Sequence, residues 1–452
     1  MPSLFLVMAA LGLVWPVLAF SAMRRASLLH PAKLYALLFA LHIAMPSMLL
    51  ALGFAPSFVN AANLPYLLRG VLFSWICLLA IWLGALAGSR LRFGGPPMAA
   101  TNRSYTWRSN RAYGAVLLLL LVGWITKAYV IQSDAYLQIH RAVQGELEGP
   151  LYALIRMLEV FSLHGVVMLI AFLADRHRRG QPVSMRARRL AALLVIAEFA
   201  YWLPTGRKED TILSLLLPLA TLHLLTGYVP PRKAIAGMAV FVTLLFPATH
   251  YYRLAVESNI TSLGVVDSQS LLSLAEVTAT SGDEAIAPTS IVFNRVSMLE
   301  PISACIRLID EGIWEPFIGE SYAMLLISLV PRVIWPDKPL FDYGQEFGRV
   351  SGFLGVDDDS TSISVTYIGE SYLNFGWLGW VPMFGIALFF AALYKRTKVA
   401  EDRATWTLLY VISLPSLLYF GGTFATYFGG LLKILPFFFL ICSGIRRREV
   451  IE

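Results

Sequence analysis

The run Ala112–Gln132, "AYGAVLLLLLVGWITKAYVIQ", decides the fold class of this chain. Its 21 residues carry one charge, Lys127. A helix rises about 1.5 Å per residue, so a run of this length covers about 30 Å, the thickness of a bilayer's hydrocarbon core. Similar runs recur along the 452 residues, of which 57% are hydrophobic and 14% charged. A soluble protein carries roughly 25% charged residues. The chain reads as an all-α polytopic membrane protein. About eleven transmembrane helices are predicted near 4–20, 34–53, 67–87, 112–132, 151–174, 190–204, 211–227, 234–250, 375–394, 404–420 and 424–442. The first run has no basic region before it and no A-x-A cleavage site after it, so it reads as a retained helix. Cys77 and Cys442 lie in apolar runs and Cys305 in a predicted loop, which predicts no structural disulfide and no cysteine metal site.

Basic residues near the ends of short loops mark the cytoplasmic side. The segments 21–33, 88–111, 175–189, 228–233 and 395–403 and the tail from 443 hold 23 of the 36 Lys and Arg. They are every second connection. The predicted orientation is therefore N-terminus periplasmic and C-terminus cytoplasmic. The net charge of +7 follows from these clusters, which gives no reason to expect a nucleic-acid partner.

The connection from Tyr251 to Asn374 is far longer than the rest. Its 124 residues hold 17 acids and 6 cations, and it is predicted to lie outside. That is enough chain for a folded subdomain. Three sections result: a membrane domain over 1–250, an extracytoplasmic loop subdomain over 251–374, and a second membrane domain over 375–452. Apolar stretches inside the loop, 291–309 and 322–334, are predicted to be helices lying on or dipping into the outer rim; a re-entrant segment over Tyr322–Trp335 is the alternative.

Cations that the orientation rule does not require mark the candidate site. Two short spans meet at "PTGRKED", 204–210. Thr205 or Gly206 is predicted to cap the second helix, with Glu209 and Asp210 in its first turn, where the helix dipole favours acids. Backbone N–H groups beside Arg207 and Lys208 make an anion pocket; a plain turn with an Arg–Glu pair is the simpler alternative. In the long loop, Arg253 follows "HYY" and Arg295 lies in "FNRVS". Arg307 is expected to sit on the solvated surface, paired with Asp310 or Glu311. In "PRVIWPDKP", 331–339, the prolines impose extended geometry and hold Arg332 and Lys338 on a stiff backbone. Asp357, Asp358 and Asp359 are consecutive, so their side chains diverge, and no metal is assigned to them. Glu370 and Asn374 share one face of a helix. The phrase Ile-Gly-Glu-Ser-Tyr occurs at 318–322 and again at 368–372, each time as a helix opening. Within a span, Arg156 and Glu159 are placed to neutralise each other.

No nucleotide-binding loop, HExxH, Cys/His set or GxSxG is present, so no cofactor is assigned. Arginines match diphosphate geometry bidentately. A sugar carried on a lipid diphosphate would have a good leaving group once that charge is clamped, and a carboxylate such as Glu370 could take the proton of an attacking hydroxyl.

The order of "TGRKED", "FNRVS", "VPRVIWPDKP" and "YIGESYLNFGWLG" over residues 190–395 resembles the bacterial oligosaccharide repeat-unit polymerases (Wzy-type, O-antigen or exopolysaccharide). The resemblance implies a GT-C-like membrane glycosyltransferase of the inner membrane. It would join undecaprenyl-diphosphate-linked oligosaccharides into O-antigen, capsule or exopolysaccharide, alongside a flippase and a chain-length regulator. It further implies catalytic roles for Arg207, Arg295, Arg332 and Glu370, with substrate contacts from Lys208, Arg253, Lys338, Tyr367 and Asn374. "GRKED" departs from relatives that carry an uncharged residue after the arginine, which leaves Lys208 and Glu209 without a clear counterpart. An O-antigen ligase, which transfers glycan to lipid A core, shares the donor and the large outer loop. A lipid-linked sugar transporter would show two similar halves and ionisable residues at mid-membrane.

Overall fold

The computed structural model describes residues 2–24, 26–53, 61–91, 103–132, 150–205, 207–241, 244, 296–330, 334–335, 343–357, 362–419 and 421–450. In chain order the elements are α1 (Pro2–Ala22), α2 (Pro31–Ala51), α3 (Leu67–Arg90), β1 (Arg103–Trp107), α4 (Ser109–Gln132), α5 (Pro150–Glu159), α6 (Phe161–Arg178), α7 (Met185–Trp202) and α8 (Lys208–Thr226). After a helix over 232–241 follow α9 (Leu299–Asp310), α10 (Glu320–Ser328), α11 (Gly344–Val350), α12 (Tyr367–Phe375), α13 (Trp380–Val399), α14 (Arg403–Leu418), α15 (Phe424–Ile445) and β2 (Arg446–Val450).

Among the described residues, eight helices are long and apolar enough to cross a membrane: Leu4–Ala22, Pro31–Ala51, Ala62–Arg90, Ser109–Gln132, Leu154–Arg178, Lys208–Thr226, Tyr367–Val399 and Phe424–Ile445. Each overlaps a predicted span. The runs at 190–204 and 404–420 are also helical but fall short by charge or length. The first belongs to α7, which opens with Arg186, Arg188 and Arg189; the second belongs to α14, of 16 residues. The run at 234–250 leaves the described residues.

The chain divides into two compact units. One comprises Met1–Arg103, Val296–Leu440 and Ile451–Glu452; the other comprises Ser104–Arg295 and Ile441–Val450. These divisions differ from those drawn on charge and loop length. The physical reason is α9. Its Leu299, Ile302, Ser303, Ala304, Cys305, Ile306 and Leu308 are fully buried, so the described end of the 291–309 stretch is packed into the core of the first unit. A Cβ on Gly70 of α3 would meet Ser303 Oγ at 2.5 Å, and one on Gly369 of α12 would meet Cys305 Sγ at 2.8 Å. Cys305 thus sits in a buried helix instead of a loop, and all three cysteines are free thiols.

Glycine also sets the main helix contacts. A Cβ on Gly84 would lie 2.3 Å from Phe384 O, and one on Gly88 2.4 Å from Leu388 O. The α3 and α13 backbones therefore touch, as small residues allow between membrane helices. In the second unit a Cβ on Gly123 would lie 2.2 Å from Ser162 N, which brings α4 and α6 equally close.

Arg307 departs from its predicted place. It is 8% exposed, and its Nη2 donates to Val350 O at 3.1 Å. Asp310 instead pairs with Arg69 and accepts from Tyr372 OH at 2.9 Å. Arg156 and Glu159 are paired as the i, i+3 spacing predicts.

Candidate functional site

The α7–α8 hairpin builds a charged site in the second unit. The chain leaves α7 at Trp202, passes through a 3-10 turn at Leu203–Thr205 and enters α8 at Lys208. The cap differs from the predicted one. Arg207 is the N-cap, in extended conformation and without a side-chain capping bond. Thr205 braces the turn instead: its hydroxyl donates to Trp202 O at 2.7 Å and accepts from Arg207 N at 3.2 Å. Thr211 Oγ1 then donates to Arg207 O at 2.9 Å.

The Arg207 side chain is held from two sides. Nη2 lies 2.7 Å from Asp210 Oδ2, and the guanidinium carbon lies 4.9 Å from the centroid of Trp202. Nη1 is buried and has no protein hydrogen-bond partner. One arm of the fork is therefore engaged and the other is not.

Trp202 is fully buried and gathers two further cations. Lys127 Nζ lies 5.0 Å from its centroid and Arg156 Cζ 5.9 Å. Lys127 also faces Tyr201 at 4.4 Å and Trp124 at 4.7 Å, so three aromatic rings surround its ammonium. Lys127 is paired with Glu198, and neither side chain is exposed. Glu159 takes Arg156 on one oxygen and Tyr201 OH on the other at 2.6 Å. Three cations, Lys127, Arg156 and Arg207, thus face three acids, Glu198, Glu159 and Asp210. A buried charge is tolerated when it is paired, and the network is balanced pair by pair. Glu198 Oε1 and Trp202 Nε1 complete no protein hydrogen bond.

Lys208 and Glu209 stand in the first turn of α8. Sequence reasoning found Arg207 and the Arg156–Glu159 pair. It noted Lys127 only as the one charge of its apolar run and missed Glu198, Tyr201 and Trp202. The available signal was a lone Lys in one apolar run and a lone Glu in another.

A separate polar centre lies in the first unit, around Glu370. Its Oε1 accepts from Ser321 Oγ at 2.7 Å, and its Oε2 accepts from the backbone N–H of Phe424, the first residue of α15. Asn374 is fully used: Nδ2 donates to Ser321 Oγ at 2.8 Å and to Glu370 O at 2.7 Å, and Oδ1 accepts from Gly319 N at 3.0 Å. Tyr367 is buried and donates to Ser416 O at 3.1 Å. Glu370 and Asn374 are buried as well. In this arrangement each oxygen of Glu370 accepts one protein hydrogen bond, and the side chain joins α10, α12 and α15. Asn374 and Tyr367 are likewise taken up by protein partners.

The hydroxyl of Tyr343 lies beside Glu370 and Ser321 but forms no hydrogen bond of good geometry. Burial, followed by the charge of Glu370, pushes this phenol well above the ordinary tyrosine value. Tyr322 is raised for the same two reasons in the same order. Both are neutral donors throughout the physiological range.

Arg253, Arg295, Arg332 and Lys338 lie outside the described residues, as do Asp358 and Asp359. No group of three or more His, Cys, Asp or Glu side chains able to hold a metal occurs among the described residues. No protein-family model, curated protein or solved structure matches this chain.

Proposed function

We propose that this chain is a membrane glycosyltransferase of the bacterial inner membrane. It polymerises undecaprenyl-diphosphate-linked oligosaccharide repeat units into O-antigen, capsule or exopolysaccharide on the outer face. The observation that supports this reading is Arg207. It stands at the N-terminus of a potential membrane helix, with one arm fixed by Asp210 and Nη1 unpartnered. A guanidinium held this way can take a phosphate oxygen on its second arm without giving up its anchor. Arg207 is the N-cap of α8, and a helix N-terminus favours an anion through its free N–H groups and its dipole.

In the reaction proposed, a sugar hydroxyl attacks the anomeric carbon of the lipid-linked chain. A new C–O bond forms, and the bond to the diphosphate breaks with its electron pair. The hydroxyl proton leaves to a base. Fixed cations stabilise the charge that collects on the diphosphate, which is the main way such a site lowers the barrier. The resemblance adds Arg253, Arg295 and Arg332 as further cations and Lys208 and Lys338 as substrate contacts. Glu370 is assigned a positioning role, because its oxygens hold Ser321 and Phe424.

A second reading has one observation in its favour. Lys127 of α4 and Glu198 of α7 are paired at zero exposure, and α4 is long and apolar enough to cross a membrane. Buried intramembrane ion pairs are costly and often mark a transport path. The test is an assay of purified protein with one defined lipid-linked repeat unit. A ladder of products supports polymerisation, and a single transfer to lipid A core supports the ligase. Vesicle-to-vesicle movement of the unit without glycosidic bond formation supports transport.

A further inference from the structure

Away from the hairpin, a second group of arginines gathers in the same unit where β1 and β2 meet. The two strands form a two-stranded sheet, and Arg108 N donates to Ile445 O at 2.8 Å. Arg111 Nη1 adds a clasp to Gly444 O at 2.9 Å. Arg179, at the end of α6, holds Tyr105 O at 2.6 Å while its Nε pairs with Asp175 at 2.7 Å. Three contacts to backbone carbonyls therefore fix this corner.

Residues two apart on a strand share a face. Arg446 and Arg448 both lie over the ring of Tyr105, with guanidinium carbons 5.1 and 5.9 Å from its centroid. Arg448 Nε also donates to Tyr105 OH at 3.3 Å. Arg108, Arg111, Arg446 and Arg448 are exposed. Among the described side chains none of the four is in an ion pair, and Asp175 is already shared by Arg178 and Arg179. The neighbouring Arg176 Nε is buried with no protein hydrogen-bond partner.

The corner also has a defined level. α4 begins there, and α6 and α15 end there; all three belong to helices long and apolar enough to cross a membrane. The ends of such helices lie at the depth of phospholipid headgroups. A topology signal needs only a count of cations near a helix end. Here the guanidiniums are stacked and clamped on a small sheet, an order that a count does not require.

We propose that the Tyr105–Arg446–Arg448 corner, with Arg108 and Arg111 beside it, binds the phosphate of an anionic phospholipid headgroup. The planar forks of Arg446 and Arg448 take the phosphodiester oxygens, Tyr105 holds the forks in place, and the acyl chains lie along the apolar flank of α4. This site is independent of the glycosyltransferase reading.

The test is native mass spectrometry of full-length protein in detergent, titrated with phosphatidylglycerol or with phosphatidylcholine. Wild type should bind a first phosphatidylglycerol more tightly than a first phosphatidylcholine. R446Q/R448Q should weaken that first phosphatidylglycerol by about tenfold or more. The pair R232Q/K233Q removes the same charge from the start of the helix over 232–241 and should stay within about twofold of wild type. Should the glutamine pair fail to fold, R446K/R448K keeps the charge and the membrane orientation. Loss of the planar fork should then still weaken binding by at least about threefold. Equal weakening by both glutamine pairs, unchanged binding in the lysine pair, or no preference in wild type would overturn the proposal.

Discussion

Ser321 and Glu370 belong to two copies of one five-residue phrase, Ile-Gly-Glu-Ser-Tyr, and are joined by a 2.7 Å hydrogen bond. The copies open helices in different frames. In the first, Gly319 is the N-cap and Glu320 the first helical residue. In the second, Thr366 is the cap, and Glu370 falls inside the first turn of α12. The same letters therefore place Ser321 as a donor and Glu370 as its acceptor. Glu370→Gln can still accept one bond but cannot accept Phe424 N–H with an amide nitrogen. It should lower stability by about 1–3 kcal/mol, and the folded fraction should retain its glycan chain lengths. A large loss of turnover with an unchanged melting midpoint would return Glu370 to the role of general base.

Removing Lys127 leaves Glu198 as an uncompensated buried charge. Lys127→Met should cost about 3–5 kcal/mol, whereas K127M/E198L should recover much of that loss. Thermal midpoints of the two single variants and the double variant in one detergent give the coupling. Additive losses would mean that the pair does not act as a unit.

His30 gives a pH prediction at the rim of α2. Its Nδ1 accepts from Ala32 N at 3.2 Å, so that nitrogen carries no proton, and Nε2 lies 3.2 Å from Ser89 Oγ. Burial, then the charge of Lys33, lowers its pKa to about 4 from 6.5. The folded state thus resists a proton that the unfolded state accepts. The stability from neutral His30 is fully present above pH 6.5 and is lost as pH falls from there toward 4. Between about pH 7.5 and 5.5 the loss should be about 1 kcal/mol. His30→Asn keeps a cap acceptor without titrating, and its midpoint should vary less over that range. Parallel pH profiles for the two proteins would refute this.

Much of the membrane character was legible because apolar length depends on local composition alone. The Ala112–Gln132 run forms α4 over Ser109–Gln132. The Arg156–Glu159 pair was legible because i, i+3 spacing is fixed by the helix. Lys127–Glu198, 71 positions apart, was not, because nothing local specifies which helices pack. Arg307 was misplaced for a related reason. Its helix carries charge in its last turn and looks amphipathic, but α3 and α12 cover it through Gly70 and Gly369. The N-cap at Arg207 was missed because Thr205 has the better capping chemistry. Its hydroxyl is spent on the preceding turn at Trp202 O.

Arg207→Lys tests the fork directly. Lysine keeps the charge but cannot fix one arm on Asp210 while presenting a second in a set direction. Polymer yield should fall by at least about tenfold, with the protein level unchanged. Yield equal to wild type would show that a point charge suffices.

The most direct measurement combines the purified chain, a defined undecaprenyl-diphosphate-linked repeat unit and gel analysis of the products. Wild type should yield a ladder, and Arg207→Ala should leave short glycans on the lipid at the same protein level. An unaltered ladder from Arg207→Ala, or no new glycosidic bond from wild type, would contradict the account.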